Sequence, residues 1–136
     1  MYQGGCLCGQ IRFEIDGPIQ TIVYCHCSQC RKAQGSAYAT NGVVLKEAFH
    51  IKQGEHLLTE YEYAPGKTKY FCKTCGSPIY SDSKQLPESV RVRLGTIESE
   101  IAERPECHIF VASKACWDTI CDDLPQFDEF PDFVKR

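Results

Sequence analysis

A mainly β domain clamped by metal is what this sequence predicts. Three observations predict it: many short runs of strand-forming residues, turn residues at close intervals between them, and almost no helical periodicity, in a chain with ten cysteines. Gly4-Gly5-Cys6-Leu7-Cys8-Gly9 packs two thiols between glycines, which let the backbone turn sharply enough to aim both sulfurs at one ion. Gln10 to Asp16 then alternates, with Ile11, Phe13 and Ile15 apolar, and reads as a half-buried strand. Gly17-Pro18 ends it. Thr21 to Tyr24, β-branched and aromatic, is a second strand that runs into Cys25-His26-Cys27-Ser28-Gln29-Cys30.

Beyond that stretch, Ala33 to Gly35 reads as a turn and Ala37 to Leu45 as a strand weakened by Asn41-Gly42. Phe49 to Gln53 and Leu57 to Tyr63 read as the two arms of a hairpin turning at Gly54-Glu55, with Pro65-Gly66 closing the unit. Lys69 to Phe71 leads into Cys72-Lys73-Thr74-Cys75-Gly76, a CxxC followed by glycine with the shape of a zinc knuckle. Ile79 to Ser81, Val90 to Leu94 and His108 to Ala112 are further strands, and Ile97 to Glu103 reads as one helical turn before Pro105. The tail from Asp122 to Arg136 holds Pro125 and Pro131, and reads as an extended segment docking Phe127, Phe130 and Phe133.

Composition bounds the function. At 136 residues, 43% hydrophobic and 24% charged, the chain is read as one globular domain spanning residues 1–136. No apolar run approaches the ~20 residues that span a bilayer, so no membrane partner is expected. A formal net charge of -3 gives no reason to expect nucleic acid as a partner. Met1-Tyr2-Gln3-Gly4-Gly5 lacks the basic start and apolar core of a signal peptide, which reads as cytoplasmic. In a reducing compartment the cysteines are better read as zinc ligands than as disulfides, which the close CxC spacings would strain.

The CxC of Cys6 and Cys8 with the CxxC of Cys72 and Cys75 supplies the four thiolates of a closed structural site. Cys25, Cys27 and Cys30 remain as a trio. If the strand before them stays extended, Cys25 and Cys27 point to one side and His26 to the other, and Cys30 reaches them if the segment tightens into a turn. Spacing leaves two readings of the trio. It is a second closed site completed by Cys107, His108 or His26, or an open one whose empty corner admits water or substrate. Cys107, Cys116 and Cys121 read as ordinary buried thiols, His108 as a hydrogen-bonded structural histidine, His50 and His56 as solvated, and Trp117 as core. Arg31, Lys32, Arg91, Arg93 and Lys114 are the cations available to an anionic small molecule, although Arg91 and Arg93 read as a solvated charged face.

Gly5-Cys6-Leu7-Cys8-Gly9, Cys25-His26-Cys27-Ser28-Gln29-Cys30-Arg31-Lys32 with Gly35, Phe71-Cys72-Lys73-Thr74-Cys75-Gly76-Ser77, and the late His108, Ser113-Lys114, Trp117 and Asp123-Leu124-Pro125 together resemble the glutathione-dependent formaldehyde-activating enzyme family, also called centromere protein V-like. The resemblance implies a zinc-stabilised β-tent of small twisted antiparallel sheets and two zinc ions per chain. It assigns Cys6, Cys8, Cys72 and Cys75 to a structural zinc, and Cys25, Cys27 and Cys30 to a catalytic one. The implied activity is that of a carbon-sulfur lyase forming S-(hydroxymethyl)glutathione from formaldehyde and glutathione. Arg31 or Lys32, next to the trio in sequence, is then expected to meet a glutathione carboxylate. Because thiols add to formaldehyde unaided, the rival expectation is a non-catalytic zinc module that binds a small thiol or a protein.

Overall fold

A computed structural model describes residues 1–131, which form ten strands and one α-helix. Strands β1 (Tyr2–Gly5), β2 (Arg12–Ile15) and β5 (Phe49–Gln53) make a small antiparallel sheet in the order β1-β2-β5. The larger sheet uses β3 (Thr21–Cys25), β4 (Ala39–Leu45), β6 (Leu58–Ala64), β7 (Lys67–Cys72), β8 (Pro78–Ser83), β9 (Ser89–Arg93) and β10 (Cys107–Ile109), in the order β10-β3-β4-β9-β8-β7-β6. All its pairings are antiparallel except β10 with β3, which run parallel.

The core lies where the two sheets meet. Ile11, Phe13 and Ile15 supply the small sheet's share, and Ile22, Val44, Ile79, Val90 and Val92 the larger sheet's, with Cys6 and Cys72 buried among them. Side chains alternate across a strand, so this packing uses one face of the larger sheet and leaves the other for a different purpose. Phe13 is 1% exposed and meets the Phe49 ring at 5.3 Å. Replacing it by alanine should cost about 3–5 kcal/mol, read as a lowered urea midpoint; a loss under 1 kcal/mol would show that this core closes without it.

Several local expectations change. β5 and β6 do not form a hairpin: β5 pairs with β2, β6 with β7, and Gly54, left-handed at φ 76°, passes the chain from one sheet to the other. Gly54 is pinned there because an added Cβ would lie 2.2 Å from the Gln10 carbonyl oxygen. Pro65-Gly66 is the turn of the β6–β7 hairpin rather than the end of an earlier one. Ile97 to Glu103 carries no helix, and the strand expected to reach Ala112 stops at Ile109, where Phe110 turns left-handed at φ 56°. The turn expected at Ala33 is instead the end of helix α1 (Ser28–Gln34), closed by left-handed Gly35. Phe127 and Phe130 dock as expected, against Val23, Cys25, Cys107 and Ile109, whereas Phe133 lies outside the described residues.

Candidate active site

β7 and β3 deliver their cysteines to opposite faces of the larger sheet. Cys72, at the end of β7, faces the core, where Cys6, Cys8 and Cys75 join it with all four sulfurs within 4.8 Å of one another. Gly76, at φ 79°, folds the knuckle back so that its N–H donates to the Cys72 carbonyl at 2.8 Å. Ser77 ties the two arms together, its hydroxyl accepting from the Leu7 N–H at 2.8 Å and lying 3.4 Å from Cys75 Sγ. Sulfurs at the corners of a tetrahedron with ~2.3 Å metal bonds sit about 3.8 Å apart. Here Cys6 and Cys8 are 3.5 Å apart, and Cys8 and Cys72 3.8 Å. The donor number and spacing fit zinc.

Cys25 ends β3 on the opposite face, and α1 begins three residues later. Cys27 is the N-cap of that helix, its sulfur accepting the Cys30 N–H at 3.3 Å, so the helix start curls Cys30 back toward the other two. The three sulfurs lie within 4.8 Å of one another, and among the described residues no fourth ligand completes the group. The Cys25 and then the Cys30 thiol hydrogen bond to Cys27, pulling its pKa down to about 2, while the same bond to Cys27 pushes Cys25 far up. Hydrogen bonds within the trio thus favour ionising Cys27 first. A soft divalent cation would ionise the rest, so these donors also suit zinc.

The trio opens into a cleft of about 550 Å³ laid along this face of the sheet. Register shows how it is built. Val43, Arg91, Ser81, Lys69 and Tyr61 are successive cross-strand partners, and Val23, Asn41 and Arg93 form the next row. Phe110 and Phe130, edge to face at 4.9 Å, wall the end beyond β10. Five cations line the cleft (Lys32, Lys67, Lys69, Arg91 and Arg93) against one carboxylate, Asp82, which accepts from the Tyr70 hydroxyl at 3.0 Å. In a chain of net charge -3 this is a strong local reversal, and it suits an anionic ligand.

The profile of the family described as "Glutathione-dependent formaldehyde-activating enzyme" matches residues 1–113, which contain both cysteine clusters. The chain belongs to this family. Two curated relatives, from Aspergillus flavus and Aspergillus oryzae, are each named "Putative glutathione-dependent formaldehyde-activating enzyme" and are 31% identical over 77 residues. Each match covers 55% of this chain and 40% of the relative's length. A crystal structure of a Rhodobacter sphaeroides protein shares the fold, with a TM-score of 0.63 at 24% identity, over 76% of this chain and 97% of that one.

His26 does turn away from the trio: its Nε2 meets His108 Nδ1 at 2.8 Å, and His108 Nε2 meets the Asp122 carboxylate at 3.0 Å. Neither histidine completes the trio, and Cys107 is buried beside it without joining the group. His50, whose Nε2 lies 3.1 Å from Asp16 Oδ2, and His56 are exposed as expected. Cys116 and Cys121 are exposed rather than buried, and Trp117 is 69% exposed rather than core. Lys32 lines the cleft; Arg31 does not, and its Nε is buried elsewhere.

The largest departure concerns Arg91 and Arg93. They share a face as strand alternation requires, but that face is the cleft wall, and Arg93 is only 7% exposed. Alternation places two cations together without saying what covers them. Over Arg93 the covering element is α1, whose Gln34 accepts from its Nε at 3.0 Å and whose weak local signal hid it. Burial lowers the Arg93 pKa, and the nearby Cys30 holds it up.

Proposed function

We propose that this chain is a zinc-dependent carbon-sulfur lyase that combines a glutathione-type thiol with a small aldehyde, formaldehyde by the family's description, to give the S-hydroxymethyl adduct. The observation that carries the reading is a trio of sulfurs with one coordination corner to spare, opening onto a cation-lined cleft. In this reading Cys6, Cys8, Cys72 and Cys75 hold a structural zinc, and Cys25, Cys27 and Cys30 a catalytic one. The second ion supplies the chemistry of keeping the incoming thiol as thiolate at neutral pH.

The chain's own residues do the rest. Cys27 and Cys30, fixed by the first turn of α1, set the reacting end of the substrate against the apolar wall of Val23 and Ile109. Lys32, Lys67, Lys69 and Arg91 give the cleft the charge to draw in and orient a dicarboxylate peptide. The aromatic end at Phe110 and Phe130 limits water at the adduct.

Exchange spectroscopy on mixtures of formaldehyde and glutathione tests the reading. Zinc-loaded protein should raise the rate of adduct formation and breakdown in proportion to its concentration. A rate equal to the unassisted background at every concentration would remove the enzyme reading and leave a thiol-binding zinc module.

A further inference from the structure

Arg93 is the one cation of the cleft that the fold buries beside the sulfurs. It lies two strands from Cys25, across β4, a step of about 10 Å along the sheet. Lys69 is four strands away, about 19 Å, and serves the other end of any ligand. The Arg93 side chain closes its gap from above: Nε donates to Gln34 Oε1 at 3.0 Å, and Gln34 sits one helical turn after Cys30, on the same face of α1. Nη1 donates to Ser81 Oγ at 3.2 Å and to the Arg91 carbonyl at 3.1 Å.

All three acceptors are uncharged, and Arg93 lines the cleft. A buried guanidinium hydrogen-bonded only to neutral groups is favoured by negative charge close by, which the trio beside it supplies in part and an anionic ligand atom in the cleft would add to. A Lys at this position would carry the charge but not the planar fork that three fixed acceptors orient.

Resting on the lyase reading of the cleft, we propose that Arg93 is a catalytic residue that donates to the adduct oxygen and stabilises the alkoxide formed as sulfur adds to the aldehyde. The thiolate sulfur forms the C–S bond, the carbonyl π pair moves onto oxygen, and the resulting alkoxide takes a proton from solvent. In the reverse direction that oxygen loses its proton and the C–S bond breaks. No oxidant or reductant enters. The gain comes from a donor already in place where charge develops, rather than from water that must reorganise.

Two measurements test this on zinc-loaded protein. Arg93→Gln should lower kcat for adduct exchange by about 10²–10³-fold, the loss expected for one oxyanion donor, while leaving glutathione affinity and metal content near wild type. Arg93→Lys should recover part of the loss, and Gln34→Leu, which keeps the charge but frees the guanidinium, should show a smaller one. The second readout is binding alone. S-sulfoglutathione carries anionic oxygens two bonds from the cysteinyl sulfur, as the alkoxide does, and wild type should prefer it to S-methylglutathione in calorimetry. That preference should fall at least tenfold in Arg93→Gln. A folded Arg93→Gln protein with unchanged kcat and unchanged preference overturns the inference alone. If that variant does not fold, an unaltered kcat in Gln34→Leu, or a wild type indifferent to the two analogues, overturns it. Wild type without any exchange activity defeats the lyase reading and this inference together.

Discussion

Cys72→Ser is expected to leave a chain that shows no cooperative thermal transition and binds at most one zinc ion. Cys72 is fully buried where the end of β7 meets the loop after β1, and Cys8 lies 64 residues before it in sequence. A closed thiolate site contributes about 10–16 kcal/mol of apparent binding energy at neutral pH, as much as the whole net stability of a domain, about 5–15 kcal/mol. Serine removes one soft donor and leaves three thiols, buried Cys6, half-buried Cys75 and exposed Cys8, converging without the charge that would ionise them. Far-UV circular dichroism during heating, with metal content measured on the same sample, checks the expectation. A Cys72→Ser protein melting within a few degrees of wild type would show that the sheets hold together without this clamp. Stripping metal with a strong chelator should have the same effect on the wild type, reversed by added zinc.

Cys27→Ser should do the opposite, sparing the fold and abolishing the chemistry. Cys27 caps α1 through its sulfur, and serine is among the best residues at that position, so the helix start should survive. The cost to stability should stay within about 1 kcal/mol. What goes is one of three sulfurs in a group that has no fourth among the described residues. We expect metal content to drop from two ions to one and adduct exchange to fall to the unassisted rate. Native mass spectrometry and exchange spectroscopy read the two effects separately. Retention of both ions together with activity would show that the trio is not where the thiol reacts.

The sequence made the cysteines legible because short spacings survive any fold: two thiols separated by one or two residues cannot be far apart. It also showed β2 and β9, where alternation is clean, and β3, whose residues are β-branched and aromatic. What it hid depended on long-range partners. Phe49 to Gln53 and Leu57 to Tyr63 have the local chemistry of a hairpin, yet each finds its mate elsewhere, β5 on β2 and β6 on β7, and local chemistry does not encode those long-range partners. Helix α1 runs for seven residues with no buried position, so no apolar stripe announces it; the Cys27 cap and Gly35 stop were its only marks. Arg93 illustrates the same limit at the site, since a charged residue on an alternating strand looks solvated until the element above it is known.

The parallel pairing of β10 with β3 bears on the order in which the molecule is assembled. As the chain emerges from its N-terminal end, every sulfur of the Cys6/Cys8/Cys72/Cys75 group is present once Cys75 is out, whereas the trio's apolar wall waits for Ile109 and Phe130. A domain built this way can acquire its clamp early, and the clamp shortens the search for the remaining strands by fixing a closure that entropy opposes. The reactive pocket is completed last. Until β10 docks, Val23 and the trio lie at an open sheet edge, the place where a nascent strand is most exposed to wrong partners.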